Sequence, residues 1–198
     1  MHLYRHTRKA IAIIVSLFIL ESVQFSAAEE VKDSQNNLKQ AAVASGKLSR
    51  MIEVTKLAGL DNPEVDPGPL TLLAPSDEAF NSLPKDIRDR LLDPENRGLL
   101  TDLLLYHALP GLYPTERLLN ARVRNYTVEA IGGDEIEITK NRKTKVIDIA
   151  GAHIIQSDII ASDGIIHVID KVLIPPSVME VLMSSPEQGT EVAIQAPR

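Results

Sequence analysis

The sequence predicts an α+β domain with a helical first half and an antiparallel, β-rich second half. Three observations carry this reading. Apolar residues recur at helical spacing between Leu38 and Ala58, the apolar period changes to two beyond Tyr126, and strands do not alternate with helices in the βαβ manner.

The chain opens on a basic stretch, with Arg5, Arg8 and Lys9, that runs into the apolar segment Ala10 to Leu20. This is the n-region and h-region of a signal peptide, and Ser26 and Ala28 place small side chains where a signal peptidase reads, so cleavage is expected after Ala28. The apolar run is shorter than the roughly 20 residues of a bilayer span and is closed by Glu21 and Gln24, so no stable membrane span is expected in the mature form. Residues 29–37 are polar and read as a flexible tether, and the domain is expected over 38–183.

Leu38, Ala41 and Ala42, then Leu48, Met51, Ile52, Val54, Leu57 and Ala58, predict two helices on either side of Gly46, with Gly59 ending the second. Leu70 to Ala74 is a short apolar run bounded by proline and glycine, the pattern of a buried strand. Ser76 is placed to cap the helix that follows, and Asp77 and Glu78 put negative charge in its first turn. Asp93-Pro94 repeats the start signal before the apolar face of Leu99, Leu100, Leu103 and Leu104. Tyr106-His107 then leads into an apolar strand. Period-two runs cover 126–131, 135–139, 144–149, 152–160, 165–169 and 172–174, with turn residues at Gly132-Gly133, Asn141-Arg142, Ala150-Gly151 and Asp163-Gly164; they predict a meander of hairpins. Val178 to Met183 closes the domain, and 184–198, with Pro186, Gly189, Pro197 and no apolar stripe, reads as a disordered tail.

Composition excludes several chemistries. The chain has no cysteine, which removes disulfides, thiolate metal sites and thiol catalysis, so the core alone must hold the fold. Loss of residues 1–28 takes away three cations and one carboxylate and moves the formal charge from −6 to −8, which argues against a nucleic-acid partner. There is no nucleophile elbow, no phosphate-binding glycine loop and no His-Glu-x-x-His helix, and no enzyme activity or cofactor is expected. His107, His153 and His167 lack metal-ligand spacing, so no metal site is expected. His107 and His167 sit in apolar strands and read as core histidines bonded within the fold. Lys140, Arg142, Lys143 and Lys145 gather on a predicted hairpin tip. Two readings apply: a solvated turn that discourages edge pairing, and a contact for an anionic polysaccharide or lipid surface. Asn125-Tyr126-Thr127 is a glycosylation sequon for a eukaryotic source.

Thr71-Leu-Leu-Ala-Pro-Ser-Asp-Glu-Ala-Phe80 resembles the first signature box of fasciclin-like (FAS1) domains, and Gly164-Ile-Ile-His-Val-Ile-Asp-Lys-Val-Leu-Ile-Pro175 resembles the second. Tyr106-His107 stands between them where the family carries its tyrosine-histidine motif. The resemblance implies a β-sandwich-like wedge with helices packed at its side. It implies structural roles for Thr71, Pro75, Asp77, Phe80, His167, Asp170 and Pro175, and for His107 as well. In animal members the tyrosine-histidine region is implicated in integrin contact, which makes Tyr106 and His107 candidate binding residues beside the basic tip. The function implied is that of a secreted or periplasmic, non-enzymatic adhesion module for a protein or polysaccharide of the cell surface or matrix, with homophilic contact a further option. A self-associating envelope protein is the alternative.

Overall fold

A computed structural model of the chain describes residues 37–61 and 68–184. The expected signal peptide over 1–28, the tether as far as residue 36 and the tail from 185 onward lie outside the described residues.

Helix α1 (Leu38–Ser45) begins with a reciprocal cap: Asn37 Oδ1 accepts from Gln40 N at 3.0 Å while Gln40 Oε1 accepts from Asn37 N. Gly46, at φ 65°, supplies the left-handed turn that ends it. Helix α2 (Ser49–Ala58) has no local side-chain cap; Asp77 reaches across from the first signature box, and its Oδ1 accepts from Arg50 N at 2.7 Å. Strand β1 (Leu70–Pro75) leads through Ser76, whose hydroxyl accepts from Ala79 N, into α3 (Asp77–Asn81). Helix α4 (Lys85–Leu92), a 3₁₀ turn (Pro94–Asn96) and α5 (Arg97–Tyr106) follow. After β2 (Ala108–Pro110) and α6 (Thr115–Asn120) come β3 (Asn125–Glu129), β4 (Glu135–Asn141), β5 (Val146–Ile149), β6 (Ala152–Ala161) and β7 (Gly164–Ile169), and α7 (Pro176–Met183) is the last described helix.

The strands form a mixed sheet of order β2-β1-β7-β6-β5-β4-β3. The hairpin meander from β3 to β7 is antiparallel throughout, as its period-two runs predict. The one parallel pair among the described residues joins the two signature boxes, with Leu70 opposite Gly164 and Pro75 opposite Ile169. Every residue of β7 is buried, as a strand apolar on both faces requires. Strand β6 belongs to both halves of the sheet. It shifts register between Ile154 and Ile159, and Asp158 takes φ 56° there, so the bulge bends the sheet onto itself.

Two cores result. Leu73, Leu109, Ile136, Ile138, Ile149 and Ile169 fill the space between the two halves of the bent sheet. On the outer face of β1 and β7, Ala74, Ile166 and Val168 meet Met51, Val54, Phe80, Leu100 and Leu104 from the helices. A smaller cluster under α7 joins Val178 and Leu182 to Leu91 and Leu103. The α+β wedge with helices at its side is therefore the observed architecture.

Three local readings differ from the sequence expectation. Helices α4 and α6 were not anticipated. Residues 172–174 are not a strand: the Leu173 N–H is bonded by the His107 ring at 3.0 Å, where a strand neighbour would otherwise stand.

Candidate functional site

The signature residues converge on the loop between β2 and α6. Thr71, fully buried on β1, donates its hydroxyl to Gly111 O at 2.8 Å and accepts from Tyr113 N at 2.9 Å. From the adjacent strand, His167 lies 2.8 Å by Nε2 from Tyr113 O and 3.2 Å by Nδ1 from Asp158 N. A carbonyl only accepts and an amide only donates, so this imidazole is neutral with its proton on Nε2. Burial moves its pKa below the ordinary range, against the hydrogen bond to Tyr113 and the Asp158 charge. Asp158, aimed by the bulge, accepts from Thr115 N at 2.9 Å and from the Thr115 hydroxyl, and so caps α6 from another part of the chain.

His107 makes a second such joint. Its Nδ1 donates to Leu103 O at 2.8 Å and its Nε2 accepts from Leu173 N, with no exposure to solvent. Burial lowers its pKa to about 4. Tyr106, 5% exposed, gives its hydroxyl to Glu135 O, and burial together with the Asp134 charge raises its pKa. Both residues expected at a binding surface are therefore interior; the apolar end of α5 carries them under β4 and the segment before α7.

The remaining signature residues are equally occupied. Phe80 sits in the helical core, Pro75 closes the parallel pair opposite Ile169, and Pro175 precedes α7, where its carbonyl accepts from Met179 N. Asp170 Oδ1 accepts from His153 N at 2.7 Å, and its other oxygen lies 3.3 Å from the exposed His153 ring. Asp148 approaches the same ring at 3.7 Å. The three histidines are not brought together, and no three His, Asp or Glu side chains among the described residues are arranged to hold a metal ion.

The basic tip divides. Lys140 was expected outside with its neighbours, but it is 2% exposed. Its position on β4 explains the difference, since Ile136, Ile138 and Lys140 share the inward face. Its stem follows the core while its ammonium donates to Leu119 O at 2.9 Å and to Ala121 O, carbonyls at the C-terminal end of α6. Burial, with Arg142 nearby, holds the pKa of this amine below its ordinary value.

Arg142, Lys143 and Lys145 stay exposed around the turn. Arg142 Nη2 reaches the Ala121 carbonyl at 2.6 Å, which draws the tip against the segment between α6 and β3. That segment supplies two cations the sequence reading missed, Arg122 and Arg124, both exposed. With Arg142 and Lys143 they line an open groove of about 440 Å³. A second groove of about 470 Å³ adjoins it at Ala121, lined by Tyr113, Arg117 and Tyr126, with the Arg117 guanidinium 4.3 Å above the Tyr113 ring. The Arg-x-Arg pair was visible in the sequence. Its nearness to the tip was not, because it depends on the pairing of β3 with β4 and on the bond from Lys140 N to Arg124 O. Asn125 of the sequon is exposed at the start of β3, beside this groove.

A fasciclin domain family model matches residues 46–175. The chain is 32% identical over 165 residues to Protein sll1483 of Synechocystis sp., covering 82% of this chain and 87% of that protein. It is 32% identical over 167 residues to transforming growth factor-beta-induced protein ig-h3 of Sus scrofa, and 29% identical over 162 residues to human periostin. These matches cover 83% and 81% of this chain but only 21% and 17% of those longer proteins. Among solved structures, the FAS1 domain pair from the insect cell adhesion molecule Fasciclin I superposes with a TM-score of 0.62 at 15% identity, over 72% of this chain and 52% of that one, and shows the shared fold. The signature boxes, the wedge they build and these likenesses together establish that the chain belongs to the fasciclin domain family, a family of non-enzymatic adhesion modules.

Proposed function

We propose that this protein is exported by its N-terminal signal peptide and acts as an adhesion module whose partner is an acidic polysaccharide of the cell surface or matrix. The observation that carries this reading is the gathering of Arg122, Arg124, Arg142 and Lys143 along one groove of a chain whose formal net charge is −6. Like-charge repulsion opposes such a cluster unless a counter-charge compensates it, and a local positive potential on an acidic molecule orients the approach of a polyanion. The groove is open, which suits a polymer laid along it. The adjoining groove adds the half-buried rings of Tyr113, stacked under Arg117, and Tyr126, aromatic surface that a sugar ring can meet.

Retention of the purified protein on an immobilised polyuronate, compared with a neutral glucan, tests this. Retention on the polyuronate alone, released by moderate salt, is the expected result, since exposed charges are screened within a Debye length of about 8 Å at physiological ionic strength. Exposed ion pairs contribute up to about 1 kcal/mol each, so the triple variant Arg122→Ser, Arg142→Ser, Lys143→Ser is expected to weaken retention by about tenfold or more. Equal retention of variant and parent would remove the basic face from the interaction.

The self-associating alternative has its own support in Ile155 and Ile160, which are 52% and 60% exposed on β6. Light scattering of the protein alone separates the two readings. Mass that grows reversibly with protein concentration favours self-association, whereas mass gained only on addition of polyuronate favours a separate ligand.

A further inference from the structure

A cavity of about 310 Å³ lies between α2, α3, α4 and α5, on the opposite side of the first signature box from the β2–α6 loop. Its walls are apolar: Val54, Phe80, Leu83, Leu91, Leu100 and Leu103. It follows a seam in the packing. Val54, Phe80 and Leu100 belong to the helical core, Leu91 and Leu103 to the cluster under α7, and Leu83 touches both, so the two clusters meet without closing. Protein interiors rarely leave voids much larger than a water molecule, and an apolar void gives water no partners.

The entrance is charged and unevenly satisfied. Arg50 Nη1 pairs with Glu53 at 2.9 Å, which occupies the one carboxylate lining the cavity. The guanidinium of Arg88, half-buried on α4, has one hydrogen bond among the described residues, a 3.4 Å contact from Nη1 to Asn81 O. A guanidinium presents five N–H donors in a planar fork that fits a carboxylate.

We infer that this cavity binds a straight-chain fatty acid of about ten carbons, its alkyl chain between the two clusters and its carboxylate on Arg88. The length follows from the volume, at roughly 30 Å³ for each water-sized group. The head group follows from the unmatched positive charge at the entrance, since a cationic amphiphile meets repulsion there and a neutral one leaves the fork of Arg88 unused.

Isothermal titration of the purified protein with saturated fatty acids below their micellar concentrations tests the inference. One-to-one binding is expected, tightening about fourfold with each added methylene and levelling near ten to twelve carbons, where the chain fills the cavity. Arg88→Gln is expected to weaken decanoate binding by at least tenfold while leaving decanol binding unchanged, because a charge-assisted hydrogen bond is lost from the acid alone. Leu83→Trp, at a position that is not fully buried, fills the cavity and is expected to abolish binding of both ligands, with thermal unfolding confirming that the variant folds. Absence of saturable binding by the parent protein would overturn the proposal. So would decanoate affinity that is unchanged in both variants, or that keeps rising beyond fourteen carbons as in adsorption to a surface.

Discussion

His107 and His167 are each fixed in one tautomer by a carbonyl on one side and an amide on the other, and each ties together segments far apart in the chain. Such a histidine makes stability depend on pH in a definite direction. The folded pKa of His107, about 4, lies below the ordinary value of 6.5, so between these values the unfolded chain binds more protons than the folded one. The contribution of the neutral ring is complete above pH 6.5, declines as the pH falls through this window, and has gone below pH 4. The gap corresponds to about 3 kcal/mol. His107→Gln is expected to lower stability by about 1–3 kcal/mol at neutral pH, through loss of the Leu173 N–H partner, and the difference from the parent should shrink toward pH 4. Urea unfolding at a series of pH values measures this, and a constant difference would show that the ring does not titrate with unfolding. Gly164 is constrained by space: a Cβ there would stand 2.3 Å from Leu70 O and 2.9 Å from Leu38 Cδ1. Gly164→Ala must push β1 from β7, with an expected loss of about 2–3 kcal/mol in the same assay.

The β5–β6 hairpin turns through Ala150 and Gly151, both with positive φ, at 49° and 84°. A turn of this hand suits the twist of the strands it joins but favours asparagine then glycine, and alanine in the left-handed region costs about 1 kcal/mol. Ala150→Asn is therefore expected to raise the melting temperature by about 2–4 °C, readable by circular dichroism. This hairpin was legible in the sequence, as were β3 to β7 and helices α1, α2 and α5, because each shows its own period and its own punctuation. Helix α4 was not, since Lys85–Leu92 carries only Ile87, Leu91 and Leu92 as apolar residues and packs through few of them. Helix α6 is six residues long and takes its cap from Asp158, far along the chain, so no local signal marks its start. Lys140 shows the same limit at the candidate site. Its alternation with Ile136 and Ile138 places it inward, but only the position of α6 supplies the carbonyls that make an interior ammonium tolerable.

Across the molecule, charge is distributed against the mean, with an acidic chain presenting one cationic face, and the grooves around Ala121 join residues from three separate stretches of sequence. The parallel pair is distributed in the same way. Leu70 and Gly164, opposite one another in β1 and β7, stand 94 positions apart. The apolar run of β1 announces a buried strand without naming its neighbour, so this pairing was not legible from the sequence.

It sets an order in time. Strand β7 follows every other described strand in the chain, and until it arrives β1 has no parallel neighbour, the outer helices lack half their floor, and Leu173 cannot meet His107. Closing so long a loop is slow compared with forming local helices. A chain released after Asp163 should therefore remain as sensitive to protease as an unfolded one, while a chain carried through Met183 becomes resistant. Protection of the shorter chain would show that the helical half holds itself together. On the proposed export route, where the chain crosses a membrane as a thread, this delay keeps the domain pliable until β7 has left the ribosome.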